Sequence, residues 1–182
     1  MIINNKKRSF STYELYGAYH WYWYNTRFSY TRHVGYLKNM VQEKNTLQVG
    51  AGDGLIAHIL GIKGIDNNRY AVDLAEIKGV KIDLGDATRL PYKNEQFDSV
   101  LMADVLEYIP NTNKALSEAR RVLKKYLYIS IPIHESRVES NHVHYWKPDQ
   151  LVDMVEKKGF KLVNKPASSI SRLRSYFKFA KA

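Results

Sequence analysis

The chain has 182 residues, enough for one domain with a sizeable core, and its 45% hydrophobic and 25% charged residues are typical of globular proteins. It contains no cysteine, which excludes disulfide bonds, thiolate metal sites and a cysteine nucleophile. The formal net charge of +10 would suit an anionic partner, but the basic residues are scattered in short groups that usually lie on solvated faces, so nucleic acid is a possible but not the favoured partner.

The first residues do not indicate export or membrane insertion. Asn4–Arg8 carries the positive charge of a signal peptide, but polar and aromatic sequence follows it instead of an apolar core. No stretch approaches the roughly 20 apolar residues that a membrane-spanning helix requires. We therefore expect a cytoplasmic protein without a membrane span.

An aromatic-rich helical segment is predicted over residues 1–43 of a single domain, 1–182. Residues 10–30 are crowded with tyrosine, tryptophan and phenylalanine, too many for one buried face. Apolar residues then recur at helical spacing at Val34, Leu37, Met40 and Val41. We expect most of the aromatic side chains to pack on the core, and others to roof a crevice or stack on a ring-shaped substrate.

A glycine-rich corner follows this segment. Thr46–Val49 suits a short buried strand, and Gly50, Gly52 and Gly54 then let the backbone turn tightly and approach a ligand where a Cβ would collide. With a helix expected from Leu55, this forms a nucleotide-binding corner whose amide donors face a crevice. A turn that merely joins strand and helix is the alternative, because the spacing is G-x-G-x-G and not the dinucleotide-binding G-x-G-x-x-G.

The second strand is predicted over Tyr70–Leu74, after a turn region at Gly61–Asn68. Asp73 lies 19 residues beyond Gly54, near the roughly 20 at which an acidic residue receives the hydroxyls of a ribose. A carboxylate can accept two hydrogen bonds from such a diol. The pattern therefore predicts Asp73, with Leu74 beside it, as cofactor-binding, and a capping role for Asp73 is the alternative.

Three ordered motifs then follow. Gly85–Tyr92 reads G-D-A-T-R-L-P-Y, a strand predicted over Phe97–Ala103 begins F-D-S-V, and Asp104–Tyr108 reads D-V-L-E-Y. This run resembles the G-D-A-x-x-L-P-F, F-D-x-V and V-L-E-H motifs of the type 11 branch of class I S-adenosylmethionine-dependent methyltransferases. The G-x-G-x-G corner is similar to motif I of the same class. The resemblance covers about residues 45–165 and implies S-adenosyl-L-methionine as the cofactor.

The remaining elements complete an α/β pattern. A helix with apolar residues from Ala115 to Leu123, a strand over Tyr126–Pro132 and a helix stopped by Gly159 follow, and Phe160–Val163 and Tyr176–Ala180 suggest two last strands. Alternating strands and helices indicate a doubly wound fold. We expect a Rossmann-like, seven-stranded, mostly parallel sheet with an antiparallel C-terminal hairpin edge.

The resemblance also implies cofactor-binding residues. Gly50, Ala51 and Gly52 would lie against the methionine portion, Asp86 would accept from the adenine amino group, the backbone of Ala87 would contact the ring, and Ala103 would belong to the same site. The alternative for Asp86 is a turn aspartate that bonds its own backbone. Gln48 departs from the family, which commonly has an acidic residue there, so electrostatic attraction for the cofactor's ammonium group is lost.

Histidines after the predicted strand Tyr126–Pro132 are the predicted catalytic residues. A hydroxyl or amine acceptor requires a general base, and His134, His142 and His144 follow Pro132 at the sheet edge where an acceptor should arrive. From this cluster we predict His134 and His142 as catalytic. A structural or solvent-exposed role is the alternative for each.

These features predict a methyltransferase that acts by O- or N-methylation on a small-molecule or sugar acceptor. One alternative is an RNA 2′-O-methyltransferase, because such enzymes hold a metal with an E-x-x-E-H segment and a later histidine. Asp104, Glu107 and His142 would match that set, although Tyr108 replaces its first histidine. A non-catalytic cofactor-binding module of the same fold is the other alternative. The oligomeric state is left open.

Overall fold

The computed structural model describes residues 11–133, 142–163, 167–168 and 174–182, in which helices and strands alternate after a helical N-terminal part. The helices are α1 (Thr12–Tyr16), α2 (Tyr19–Thr26), α3 (Phe28–Met40), α4 (Leu55–Leu60), α5 (Arg69–Ile77), α6 (Thr112–Val122) and α7 (Pro148–Glu156), with a 3-10 turn at Leu106–Tyr108. The strands are β1 (Thr46–Val49), β2 (Lys63–Asp66), β3 (Ile82–Leu84), β4 (Phe97–Ala103), β5 (Leu123–Pro132), β6 (Phe160–Leu162), β7 (Ala167–Ser168) and β8 (Arg174–Lys181).

The strands form one mixed sheet in the order β3-β2-β1-β4-β5-β8-β6, with the two-residue β7 paired to β8 beside this path. β1 to β5 are mutually parallel, and β8 runs antiparallel to both β5 and β6. The predicted seven-stranded, mostly parallel sheet with antiparallel C-terminal strands is therefore confirmed. β8 lies between β5 on one side and β6 and β7 on the other, so β6 and β7 lie along that edge.

Both faces of the sheet are covered, as the doubly wound prediction requires. Successive residues of β4 point to opposite faces. Val100 and Met102 belong to one buried cluster with Leu116 of α6 and Leu151 of α7. On the other face, Leu101, Ala103 and Tyr128 belong to a cluster with Val34 and Leu37 of α3 and Leu55 and Ile56 of α4. The carboxyl ends of the parallel strands thus open between two packed layers.

The prediction of the second strand was wrong. β2 lies within the predicted turn region Gly61–Asn68, and the predicted strand Tyr70–Leu74 belongs to helix α5. β2 contains Gly64, where a Cβ would lie 2.8 Å from Ala51 Cβ, so close approach to the neighbouring chain requires the glycine that made the stretch resemble a turn. Asn68 caps α5 by accepting from Ala71 N at 3.3 Å.

Other elements follow the predictions closely. α1, α2 and α3 lie within the predicted helical segment, and α3 reproduces the helix expected near its end. α6 ends at Val122 and β5 begins at the next residue, so this connection has no linker. Within the described ranges, no helix combines the length and the apolar character that a membrane crossing needs.

Candidate functional site

The predicted glycine corner forms the tight turn after β1. Gly50 and Gly52 have φ values of +74° and +56°, in the left-handed region that favours glycine. A Cβ on Gly50 would lie 2.1 Å from Val105 Cγ2, so this turn passes directly against the chain that leaves β4. The N–H groups of Gly50 and Ala51 donate to Ile65 O at 2.9 and 3.0 Å, which fixes the turn against β2.

A cavity of about 280 Å³, here the first cavity, opens at the carboxyl ends of β1, β2 and β4. Its lining includes three of the predicted cofactor-binding residues, Gly50, Ala51 and Ala103. Asp66 and Gln48 line the same cavity and were not predicted as cofactor-binding. Ligand sites of doubly wound folds lie at this edge of the sheet.

Asp66 is the last residue of β2 and faces the first cavity. Its Oδ2 accepts from Gly52 N at 2.7 Å and its Oδ1 from Asn68 N at 2.9 Å. Burial raises the pKa of Asp66, and these backbone hydrogen bonds act in the opposite direction. A carboxylate offers about four acceptor positions, so capacity for two further donors remains after the two backbone bonds.

Asp73 and Leu74 are not brought to this site. They lie on α5, outside the lining of both cavities described here, and the exposed Asp73 carboxylate is 4.0 Å from Arg69 on the next turn of the helix. Placing Asp73 at a strand end was therefore wrong, and Asp66 occupies that place. Asp66 lies 12 residues beyond Gly54, well short of the roughly 20 at which a ribose-binding acidic residue usually lies. The sequence indicates its position at a strand end only through the preceding Gly64-Ile65.

Asp86 and Ala87 lie in the turn after β3, outside the lining of both cavities. Asp86 is exposed, and its Oδ1 accepts from Thr88 N at 2.7 Å and from Thr88 Oγ1 at 2.9 Å, as in the alternative interpretation of a turn aspartate. Gly85 N donates to Asp66 O at 2.9 Å. The turn therefore adjoins the end of β2, on the side of the sheet beyond Asp66.

The roof of the first cavity is formed by Ser11–Thr26, a segment that contains α1 and α2. Tyr13 covers the glycine turn so closely that a Cβ on Gly52 would lie 2.0 Å from Tyr13 Oη. Burial raises the pKa of Tyr13 well above its usual value, so the hydroxyl keeps its proton. The aromatic N-terminal segment therefore roofs a crevice, one of the two roles considered for its side chains.

Asp53 fastens the roof to the glycine turn. This fully buried carboxylate accepts from His20 N at 3.0 Å and lies 3.2 Å from His20 Nδ1, while Trp21 Nε1 donates to Asp53 O at 2.9 Å. The N-cap residue of α2 is Ala18, which has no side-chain acceptor. Asp53 therefore supplies from the glycine turn the acceptor that an N-cap side chain usually provides.

A second cavity of about 410 Å³ adjoins the first. The two share the lining residues Trp23, Tyr30, Asp104, Tyr108 and Arg174. Glu107 lines only the second cavity, is buried, and has no hydrogen-bond partner for either carboxyl oxygen among the described residues. Burial, and then the charge of Asp104, raise the pKa of Glu107 to about 8.

Asp104 directly follows β4 and has a left-handed conformation, with φ of +47°, that is uncommon for a residue other than glycine. Its Oδ1 accepts from Ser130 Oγ at 2.7 Å, and its Oδ2 accepts from Arg174 Nε. Burial alone would raise its pKa, but the charges of Arg174 and His33 lower it to about 2. Asp104 is therefore an ionised partner of Arg174.

The arrangement does not reproduce the metal set of the RNA-enzyme alternative. Asp104 is engaged by Arg174, and the part of the chain that the structure describes holds no group of three histidine, aspartate or glutamate side chains placed to bind a metal ion. No sequence motif indicated the role of Arg174, because it lies on β8, far along the chain from Asp104.

Two of the three histidines considered after β5, His142 and His144, lie among the described residues and occupy different places. His142 lines the second cavity, with its ring edge-on to Tyr108 at a centroid distance of 4.6 Å. His144 lies 3.1 Å from Pro110 O through Nε2 and lines neither cavity. His134 lies outside the described residues. Of the two predicted catalytic residues, the structure therefore brings His142 to a cavity.

Gln48, the residue that departs from the family pattern, points into the first cavity from β1. Its side chain is buried, and its Oε1 has no hydrogen-bond partner among the described residues. A buried amide oxygen without a partner is costly, so it favours a bound donor in this cavity.

Comparison with known proteins identifies a matching family and several similar proteins. The family described as a methyltransferase domain matches residues 47–129. A demethylmenaquinone methyltransferase of Thermotoga maritima is 25% identical over 169 residues, covering 69% of this chain and 74% of its own. An uncharacterized protein of Methanocaldococcus jannaschii is 29% identical over 147 residues, 72% of each chain.

One solved structure shows how far the fold extends beyond the matched region. A SAM-dependent methyltransferase of Thermotoga maritima, described as a possible histamine N-methyltransferase, superposes with a TM-score of 0.80 at 24% identity. The alignment covers 93% of this chain and 98% of that one. At this identity the likeness concerns the fold.

Proposed function

Because the chain belongs to the type 11 branch of the class I S-adenosylmethionine-dependent methyltransferases, we propose that it methylates a small molecule held in the second cavity. The observation that carries the proposal is the pair of adjoining cavities with shared walls. The first contains the glycine turn, and the second contains ionisable side chains. Two reactants held side by side in this way are what a transfer reaction requires.

The first cavity fits the cofactor in its donor and acceptor groups. Asp66 has acceptor capacity for the two ribose hydroxyls, and Gln48 Oε1 would accept from the ammonium group of the methionine portion. Gly50, Ala51 and Gly52 would lie along that portion, with the Tyr13 hydroxyl above them. The ribose role is thus assigned to Asp66 in place of Asp73.

The adenine end of the cofactor is assigned to the turn after β3. Asp86 and Ala87 keep the roles that the resemblance implies, because their turn is bonded to the end of β2 through Gly85 N and Asp66 O. A ligand whose ribose is bound by Asp66 would place its base next to this turn. Ala103 would lie at the opposite, methyl-bearing side, where the two cavities adjoin.

When bound, S-adenosylmethionine supplies an electrophilic methyl group on a sulfonium sulfur. The chain's own residues then have to hold the acceptor in line, exclude water and receive a proton. The roof excludes water from above the glycine turn, and Asp53 holds it there. Tyr30 and Tyr108 line both cavities, so the two reactants would meet beside these shared walls.

The proposed acceptor is a small molecule that loses a proton from oxygen or nitrogen. Two similar proteins are named for small acceptors, demethylmenaquinone and, as a possibility, histamine, which supports the small size of the acceptor. The second cavity, at about 410 Å³, also suits a molecule of that size more than a polymer. A sugar fits this size as well, and within the described residues no set of metal-binding side chains adds support for the RNA alternative.

Two measurements test the proposal. Calorimetric titration with S-adenosylhomocysteine should show one site per chain, and the chain with S-[methyl-³H]adenosylmethionine should label members of a panel containing phenols, amines, sugars and a short RNA. Binding with label only in small molecules supports the proposal. Absence of binding, or label only in RNA, contradicts it. The expected cytoplasmic location stays a prediction that cell fractionation can test.

A further inference from the structure

Among the described residues, Glu107 is the one buried acid of the second cavity that no part of the cofactor site uses. It lies in the 3-10 turn after β4, and both carboxyl oxygens are buried without a hydrogen-bond partner among the described residues. The native fold thus keeps a costly group where an apolar residue of similar size would be more stable. Such a group is expected where a ligand completes its hydrogen bonds.

The charges around Glu107 limit what that ligand can be. Among the described residues, the titratable and charged groups that face the second cavity are Tyr108, in the same turn as Glu107, and, from other parts of the chain, Arg27, Tyr30, Asp104, His142 and Arg174. Asp104 is neutralised by Arg174, which leaves Arg27 as an additional positive charge. While Glu107 is protonated, the cavity is therefore electropositive, which disfavours a cationic amine and stabilises an oxygen that becomes negative.

Aromatic side chains form a large part of the walls of the second cavity. Trp23 and Tyr30 approach edge to face with ring centroids 5.8 Å apart, and the guanidinium carbon of Arg27 lies 4.4 Å above the Trp23 ring. Tyr108 and His142 approach each other on another side. A flat ring suits walls of this kind, since aromatic groups associate by stacking and edge contacts.

We infer that the acceptor is a phenol, and that Glu107 is the catalytic residue that receives its hydroxyl proton. This rests on the proposed methyl transfer. The proton of the hydroxyl passes to the Glu107 carboxylate, and the oxygen forms a bond to the cofactor's methyl carbon. The carbon–sulfur bond breaks with its electron pair remaining on sulfur, which gives a methyl ether and S-adenosylhomocysteine. Arg174, at the junction of the two cavities, stabilises the oxygen while it carries negative charge.

The high pKa of Glu107 supports this role, because a proton acceptor is most effective when its pKa is near the working pH. Asp104, although it is next to Glu107, cannot take the same role, since Arg174 and Ser130 keep it ionised and engaged. His142 lies on the same cavity, so a variant of His142 must be compared with a variant of Glu107.

The test uses the full chain with phenol and 1-naphthol as acceptors and histamine and benzylamine as amine comparators. Glu107→Gln keeps the size of the side chain but cannot take a proton. Glu76→Gln, at an exposed position of α5, is the matched control. Removing a general base should lower kcat for 1-naphthol about 10²- to 10⁴-fold. KM, and the calorimetric affinity of 1-naphthol for the S-adenosylhomocysteine complex, should change by no more than about threefold.

The pH profile gives a readout that a merely structural role would not alter. In the wild type, kcat/KM for 1-naphthol should rise with pH to a plateau above about 8, because the ionised carboxylate is the active form. Glu107→Gln should lose this limb, Glu107→Asp should restore part of it, and His142→Gln should retain it. These results support the inference.

Three results would overturn it. The first is a wild type that binds S-adenosylhomocysteine and methylates an amine but neither phenol. The second is a Glu107→Gln variant with unchanged kcat, and the third is a limb that disappears with His142→Gln instead. In each of them cofactor binding persists, so they differ from failure of the proposed methyltransferase itself, in which S-adenosylhomocysteine does not bind.

Discussion

Replacing Asp66 tests the assignment of the ribose site. Asp66→Asn keeps the size of the side chain but exchanges one acceptor oxygen for an NH₂ group, so the ribose loses a charge-assisted hydrogen bond. Such a bond contributes about 1.5–3 kcal/mol. Since about 1.4 kcal/mol corresponds to a factor of ten, the affinity for S-adenosylhomocysteine should fall about 10- to 150-fold. Asp73→Asn, the matched control on α5, should leave it unchanged.

The same substitution also disturbs the protein, and the assay has to separate the two effects. Gly52 N and Asn68 N both donate to Asp66, so the variant leaves one of these donors facing an NH₂ group and destabilises the glycine turn. Calorimetry with adenosine and with 2′,3′-dideoxyadenosine removes this contribution. A distorted turn lowers the affinity for both ligands alike, whereas a lost ribose contact lowers only the affinity for adenosine.

The expected result is therefore a loss of selectivity. Wild type and Asp73→Asn should both prefer adenosine over the dideoxy compound, and Asp66→Asn should bind the two with similar affinity. If Asp66→Asn retains the preference of the wild type, Asp66 does not bind the ribose. If Asp73→Asn loses it, the original assignment from the spacing was right despite the exposed position of Asp73.

Three further predictions concern the roof, the glycine turn and the buried acid. Tyr13→Phe should lower the affinity for S-adenosylhomocysteine but not for 5′-methylthioadenosine, which lacks the amino acid portion. Tyr16→Phe, on the exposed face of α1, should leave both affinities unchanged in the same calorimetric titrations. Gly52→Ala should abolish cofactor binding while the chain stays folded by circular dichroism, because its Cβ would strain the turn and displace the Tyr13 hydroxyl. In urea denaturation, the stability of Glu107→Gln relative to the wild type should increase as the pH rises from about 4.5 to about 8. In this pH range Glu107 is protonated in the folded wild type but ionised in the unfolded wild type, so the stability of the wild type falls as the pH rises. An equal difference at pH 5 and pH 8 would contradict that pKa.

The elements that the sequence predicted well are those whose burial pattern is regular. β4 and its neighbours alternate between two apolar clusters, and α6 carries its buried residues on one face, so periodicity located them. β2 was not predicted as a strand, because its position inside the sheet depends on Gly64. Glycine there serves contact with Ala51, but in the sequence it has the same appearance as glycine in a turn. Because the second strand was predicted at the wrong place, Asp73 was predicted as the acidic residue at its end, whereas Asp66 occupies that position.

The cofactor site was more predictable than the acceptor site, for a physical reason. The glycine turn binds through backbone geometry, which depends on residues adjacent in sequence, so a short motif reveals it. The roof, by contrast, reaches the same turn through His20 and Asp53, which are 33 residues apart, and through Trp21. No local pattern encodes such contacts, although the excess of aromatic residues indicated that some of them had a role beyond packing.

The proposed acceptor site depends on contacts of this distant kind, and Asp104 shows why its chemistry is difficult to predict from the sequence. In the sequence, Asp104 and Glu107 are two similar carboxylates three residues apart, which suggested a shared metal. In the fold, Arg174 reaches Asp104 from 70 residues away and Ser130 from 26, and these partners also hold Asp104 in its left-handed conformation. Glu107 has no such partner among the described residues, so the same residue class yields one permanently ionised anchor and one acid that can exchange a proton. The difference arises from Ser130 on β5 and Arg174 on β8, which both engage Asp104, and it makes Glu107 the proposed proton acceptor of the second cavity.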